Sequence, residues 1–200
     1  MADCEKRDMA GFGRLRPGRL LAWIGVGCIL GSTCACDDYS LEVEWSETPD
    51  TVLLYSLARP ELNLLSAMDL LSGYPVQIEM PGATGSWDFV LDTQDGALVF
   101  SPPGVFGISS TAGIAAMEGV LLEDVTKAPS DSAAYAYEEP VPVDIGRVYV
   151  VQTHQSTNVY GYTCVYYGKM VPLEIDSVVD AVTFHYVFNP NCNNRRLVPS

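Results

Sequence analysis

Two histidines, a pair of downstream cysteines and a run of tyrosines are the side chains here whose chemistry could define a function. The histidines are His154 and His185. Two neutral imidazoles that face each other across a pocket ligate a haem iron axially. The same two residues also read as one loop histidine and one surface-facing strand histidine, or as a member of a catalytic dyad. Tyr160, Tyr162, Tyr166 and Tyr167 lie close together. Exposed, they form an aromatic binding face for sugar or protein; buried, they are sheet packing with wetted hydroxyls. Asp92, Asp95 and Gly96 lack the tight D-x-D-x-D-G spacing of a calcium loop, so they read as turn formers, with Gly96 taking a positive φ. Zinc lacks a second close Cys/His pair beside either cysteine. No metal site is expected.

The motifs of common enzymes are missing. There is no Walker A loop, no G-x-S-x-G, no H-E-x-x-H and no partnered C-x-x-C. Glu123-Asp124 and Glu138-Glu139 are adjacent pairs in loops, not the separated carboxylates of an acid/base couple. The expectation is a non-enzymatic protein without catalytic residues or cofactor. A hydrolase with an unrecognised site is the alternative of a different class.

The leading segment addresses the molecule. Lys6, Arg7, Arg14, Arg16 and Arg19 precede an apolar block from Leu20 to Leu30, then Gly31-Ser32-Thr33-Cys34-Ala35-Cys36. That order is the layout of a cleaved export signal. The apolar block falls short of the ~20 residues a bilayer span needs, although retention as an uncleaved anchor is the alternative. A cysteine at the processing site resembles the lipobox of bacterial lipoproteins, in which the first mature cysteine carries the lipid. Cys36 follows Ala35 and Cys34 follows Thr33, so Cys36 is the expected anchor and Cys34 the alternative. Processing at Cys36 leaves Cys164 and Cys192 as an even pair, and an exported compartment permits their disulfide. Two separately buried thiols are the other reading. The expected layout is a signal peptide over 1–35, an acidic tether over 36–50 and a single β-rich domain over 51–200. The expected location is the bacterial cell envelope, lipid-anchored to a membrane facing periplasm or exterior.

Charge narrows the partners. The chain has 11 Lys and Arg against 25 Asp and Glu; the first 35 residues hold five and three of these, so 36–200 carries a net charge of −16. Such a surface repels nucleic-acid phosphates and anionic lipid head groups. The acidic residues are scattered among many apolar ones, which indicates a folded domain rather than an acidic tail. Beyond the lipid anchor, the expected partner is a protein, a glycan or a small molecule.

Strand signals dominate what must position these residues. Thr51 to Ser56 is an apolar run of strand length. Arg59 to Leu71 is the one helix candidate, with Pro60 at a first-turn position and Leu62, Leu65, Met68 and Leu71 at spacing three; an irregular connection is its alternative. Val76 to Met80 alternates. Trp87 to Leu91 and Ala97 to Ser101 flank the turn residues 92–96 and predict a hairpin. Gly113 to Leu121 is a weaker strand and Ala128 to Pro142 a loop. Arg147 to Thr153, Tyr162 to Val171 and Val182 to Phe188 are rich in the β-branched and aromatic residues that suit pleated surfaces. The prediction is an all-β fold, an antiparallel β-sandwich or partly open barrel with at most one short helix.

The sequence from Trp87 to Phe188 resembles the HmuY-like family. Trp87-Asp88-Phe89, the run Val148-Tyr149-Val150-Val151 with Thr153, Tyr167 and Lys169, and Phe184-His185-Tyr186 carry the likeness. The family's Tyr-Ala-Lys stands as Tyr167-Gly168-Lys169. The resemblance implies an exported, lipid-anchored, all-β bacterial protein, and haem capture through two histidines. The leading expectation is nonetheless an envelope-anchored β-domain with a binding or structural role, and haem capture comes second.

Overall fold

The structure is a computed structural model that describes residues 42–200. The expected signal peptide and both candidate lipidation sites, Cys34 and Cys36, lie outside the described residues. Two antiparallel sheets pack face to face as a sandwich. The first sheet has strand order β1-β12-β11-β8-β6 and the second β3-β2-β4-β5-β7. In chain order the strands of the two sheets begin with β1 (Asp50–Tyr55), β2 (Ala67–Asp69), β3 (Tyr74–Val76), β4 (Phe89–Gln94), β5 (Ala97–Ser101), β6 (Gly113–Met117), β7 (Val141–Pro142) and β8 (Val148–Gln152). A two-stranded ribbon, β9 (Ser156–Thr157) with β10 (Thr163–Cys164), stands apart from both sheets. It is followed by the long strands β11 (Tyr167–Asp176) and β12 (Ala181–Asn189). Among the described residues the only helical pieces are 3-10 turns at Pro103–Phe106 and Ser132–Ala134.

Alternation builds the core. Leu54 on β1, Met170 on β11, and Val182, Phe184 and Tyr186 on β12 point inward from the first sheet. Phe89 and Leu91 on β4 and Phe100 on β5 meet them from the second. Phe100 is the hub: its ring lies 5.2 Å from Phe89, 5.4 Å from Tyr149 and 6.2 Å from Phe184, each edge to face. Aromatic rings favour that geometry because their electropositive edges meet electronegative faces. Both outer faces are partly covered as well. Val125, Tyr135 and Leu197 lie over Ala115, Val148 and Val150 of the first sheet, and Trp87 packs with Ala67 and Val90 on the second.

The hairpin across Asp95-Gly96 forms, with Gln94 opposite Ala97. Its turn is tighter than residues 92–96 suggest. Asp92 is a strand residue opposite Val99, and only Asp95 (φ 52°) and Gly96 (φ 79°) turn the chain. Two successive positive φ values match the right-handed twist of the flanking strands.

The helix candidate over Arg59–Leu71 does not form. Ala67 and Met68 pair with Val90 and Phe89 of β4, so period two replaces period three: Met68 and Leu70 are buried, while Leu62, Leu65 and Leu71 are exposed. The Asp69 carboxylate then accepts from the Leu71 and Ser72 amides and ends the strand. The alternation from Val76 to Met80 also misleads. Pairing stops at Val76, and the Met80 amide closes a turn on the Gln77 carbonyl, although Val76 and Ile78 still pack toward Trp87.

The expected tether is docked at its C-terminal end. The Asn191 side chain accepts from the Val43 amide at 2.6 Å and donates to the Val43 carbonyl at 3.0 Å. Farther along, Glu47 accepts from Lys169 Nζ at 2.8 Å. Lys169 is 1 % exposed and also donates to the Val125 carbonyl at 3.1 Å. A cation this buried needs a counter-charge, and residues 42–49 supply it from 122 positions away.

Phe100→Ala is expected to lower the unfolding free energy by roughly 3–5 kcal/mol, since it empties the hub of the core. Urea titration followed by tyrosine and tryptophan fluorescence measures this.

Candidate functional site

One wholly buried carboxylate organises one end of the sandwich. Asp88 immediately precedes β4 and has no exposed surface. Its Oδ2 accepts from the Leu70 amide, just past β2, at 2.8 Å. Its Oδ1 accepts from the His154 amide at 2.7 Å and lies 2.7 Å from His154 Nδ1. His154 comes just after β8 of the opposite sheet, so Asp88 clasps the two sheets together. Burial pushes the Asp88 carboxyl up, and the hydrogen bond from His154 opposes it. The hydrogen bond to Asp88 raises His154 above its ordinary value, against the effect of its own partial burial.

Asp69, Asp88 and His154 bring potential ligand atoms within 4.8 Å of one another. Both Asp88 oxygens already accept N–H groups, so this is a hydrogen-bonded clasp rather than an open coordination shell. His154 also lines a small cleft of about 230 Å³, together with Gly85, Ser109, Ser110, Thr111 and Gln155. Among the described residues no hydroxyl hydrogen-bonds the imidazole; its ring partner is Asp88.

The clasp is also the foot of the ribbon. Thr153 is fully buried; its amide donates to the Tyr166 carbonyl, and its hydroxyl accepts from the Tyr166 amide. The Thr111 hydroxyl donates to the Thr153 carbonyl. On the other strand, Cys164 is bonded to Cys192 across 28 positions, with Cα atoms 5.1 Å apart. Asn193 adds a reciprocal pair: its side-chain oxygen accepts from the Val165 amide, and its own amide donates to the Val165 carbonyl. Every strand end at the base is therefore held.

Beyond this base the ribbon reaches into solvent. The Asn158 side chain accepts from the Tyr160 and Tyr162 amides, each at 3.0 Å, and the Asn158 amide donates to the Tyr162 carbonyl. Gly161 takes φ 82°, which allows the loop to close on itself. The tip presents Val159 at 94 % and Tyr160 and Tyr162 each at 68 % exposure.

No family model matches this chain, and no curated protein matches it.

The four candidate tyrosines divide. Tyr160 and Tyr162 are exposed together; Tyr166 is buried against Phe188, with ring centroids 5.8 Å apart, and Tyr167 packs toward Val148 and Val150. Position explains this: Tyr160 and Tyr162 belong to the turn of the ribbon, whereas Tyr166 and Tyr167 lie at the entry to β11 and pack against the body. The two histidines are not brought together. His185 lies mid-β12, opposite Thr51 and Val171 and on the face away from Phe184 and Tyr186, while His154 turns to Asp88. The sequence does not reveal the Asp88–His154 couple, whose members stand 66 positions apart. Asp88 in the middle of an otherwise apolar Trp-Asp-Phe-Val-Leu run is the one signal that could have flagged it.

Asp88→Ala is expected to cost roughly 3–5 kcal/mol, because it leaves one buried and two partly buried N–H donors without their acceptor; chemical unfolding measures it. His154 binds its proton more tightly folded than unfolded. The stability it contributes is therefore complete below about pH 6.5, the unfolded value, and is lost as pH rises through the folded value. Unfolding free energies measured across that window should fall with pH in the wild type and lose that slope in His154→Gln. Opening the disulfide, by reduction or Cys164→Ser with Cys192→Ser, should cost about 3–4 kcal/mol on loop-entropy grounds, read as a lower melting temperature.

Proposed function

We propose that this protein is an exported, lipid-anchored, non-enzymatic binding domain whose contact element is the Ser156–Cys164 ribbon. The observation that carries the reading is the contrast between base and tip. The base is fixed by Asp88, Thr153, Asn193 and the disulfide, and the tip exposes two tyrosines and a valine. A rigid loop that presents aromatic side chains loses little entropy on binding, the same economy used in antibody loops. The disulfide fits an oxidising compartment and agrees with the leading export segment and Cys36. His154 has no hydroxyl nucleophile hydrogen-bonded to it among the described residues, which favours binding over hydrolysis.

Haem capture draws on one observation, the fixed Nδ1 of His154. It leaves Nε2 free, as in many metal-bound histidines. The distant placement of His185 weighs against a two-histidine pocket.

In bacterial cells that carry the full chain, the recovered protein should sit in the membrane fraction and begin at a lipid-modified Cys36 by intact mass. An unmodified Met1 terminus on soluble protein would remove the anchored reading. Tyrosine iodination, followed by peptide mass spectrometry, tests the ribbon. On purified protein Tyr74, Tyr160 and Tyr162 should all react; on intact envelopes Tyr160 and Tyr162 should be shielded relative to Tyr74. Equal labelling in both settings would sink the ribbon as contact element. A Soret band that appears with haem and vanishes in His154→Ala would revive the second reading.

A further inference from the structure

The Ser156–Cys164 ribbon has a chemistry more specific than "binding". From Val148 to Gly168 the sequence contains no Asp, Glu, Lys or Arg, in a chain that is otherwise strongly acidic. The ribbon and its foot offer tyrosine rings and hydroxyls, the side chains of Ser, Thr, Asn and Gln, and one imidazole. We propose that this ribbon binds an uncharged glycan chain, an inference that rests on the ribbon being the contact element.

Three observations select that ligand over others. The first is area. Two tyrosines and a valine offer about 300–400 Å² of exposed side chain, well short of the ~800 Å² per partner in a stable protein interface. A sugar ring is covered by one or two aromatic faces, so the same patch suffices for it. The second is charge. A neutral contact zone on an acidic body gains nothing from a basic partner at the point of contact, and it repels uronic acids, phosphates and anionic lipids at longer range. The third is the cleft at the ribbon's foot. Its lining of Ser109, Ser110, Thr111, His154 and Gln155 supplies hydroxyl, amide and imidazole groups and no carboxylate or cation of fixed charge. These groups both donate and accept, which suits sugar hydroxyls.

The spacing adds a length preference. Gln155, on the cleft, and Val159, at the tip, are four residues apart, a reach of about 13 Å in extended chain. A single ring does not cover that distance and a chain of several rings does. Oligosaccharides should therefore bind better than monosaccharides. The exposed tip could instead seat in a neutral bilayer, but one valine and two hydroxylated rings make a poor apolar wedge.

The test is native electrophoresis of the full chain in a polyoxyethylene detergent, which carries no sugar head group. Gels contain a neutral polysaccharide (galactomannan, xyloglucan, mixed-linkage glucan or dextran) or acidic polygalacturonate. At least one neutral polymer should retard the protein. Tyr160→Ala with Tyr162→Ala should weaken that retardation about tenfold, in keeping with the loss of aromatic anchors, and Tyr74→Ala should leave it unchanged. Circular dichroism verifies that each variant is folded. The proposal is overturned by retardation in polygalacturonate alone, by retardation that survives the double substitution, or by tyrosine-dependent sedimentation with phosphatidylcholine vesicles instead. If no neutral polymer retards the protein while Tyr160 and Tyr162 stay shielded on envelopes, the glycan is wrong and the contact element stands. If the shielding is absent as well, both fall.

Discussion

A single carboxylate with no access to water holds one end of the sandwich together. Removing Asp88 from solvent costs several kcal/mol, and the sequence commits it to that position between Trp87 and Phe89. The cost is offset by N–H groups converging from two directions, Leu70 beside the second sheet and His154 beside the first. Hydrophobic contact between sheets is non-directional and would tolerate some sliding. The clasp is directional, so it fixes where β8 ends and where the ribbon departs. Thr153, Asn193 and the disulfide then act on a chain whose direction is already set.

The buried Lys169 plays the corresponding part on the outer face of the first sheet. Its ammonium group lies under residues 42–49 and beside the Val125 carbonyl. Glu47 thereby makes the stretch leading into β1 part of the folded body, and Asn191 ties it to the C-terminal segment. A segment that is acidic and polar by composition is ordered here because one buried cation needs it.

What the sequence disclosed follows from how local each signal is. The turn at Asp95-Gly96 and the strands around it were legible, because turn type and alternation are written in adjacent residues. So was β12, whose inward set Val182, Phe184 and Tyr186 alternates without a break. The pairing of Cys164 with Cys192 followed from counting. The helix reading of residues 59–71 failed because leucines at spacing three satisfied a local pattern, while pairing of Met68 with Phe89 decided the outcome from outside the window. Asp88 with His154, and Lys169 with Glu47, were illegible for the same reason: each is a contact between distant positions and leaves no periodic trace. The tyrosine cluster was half legible, since the two-residue strand β10 is the only element between the exposed pair in the ribbon's turn and the packed pair at the entry to β11.

The margins of the second sheet have one more consequence. Its outer strands, β3 and β7, span three and two residues, and each contains a proline, Pro75 and Pro142. Proline has no amide hydrogen to offer an incoming strand, and so short a border gives it little to align with. A neighbouring copy therefore finds no template along either border of this sheet for fusing into a continuous ladder.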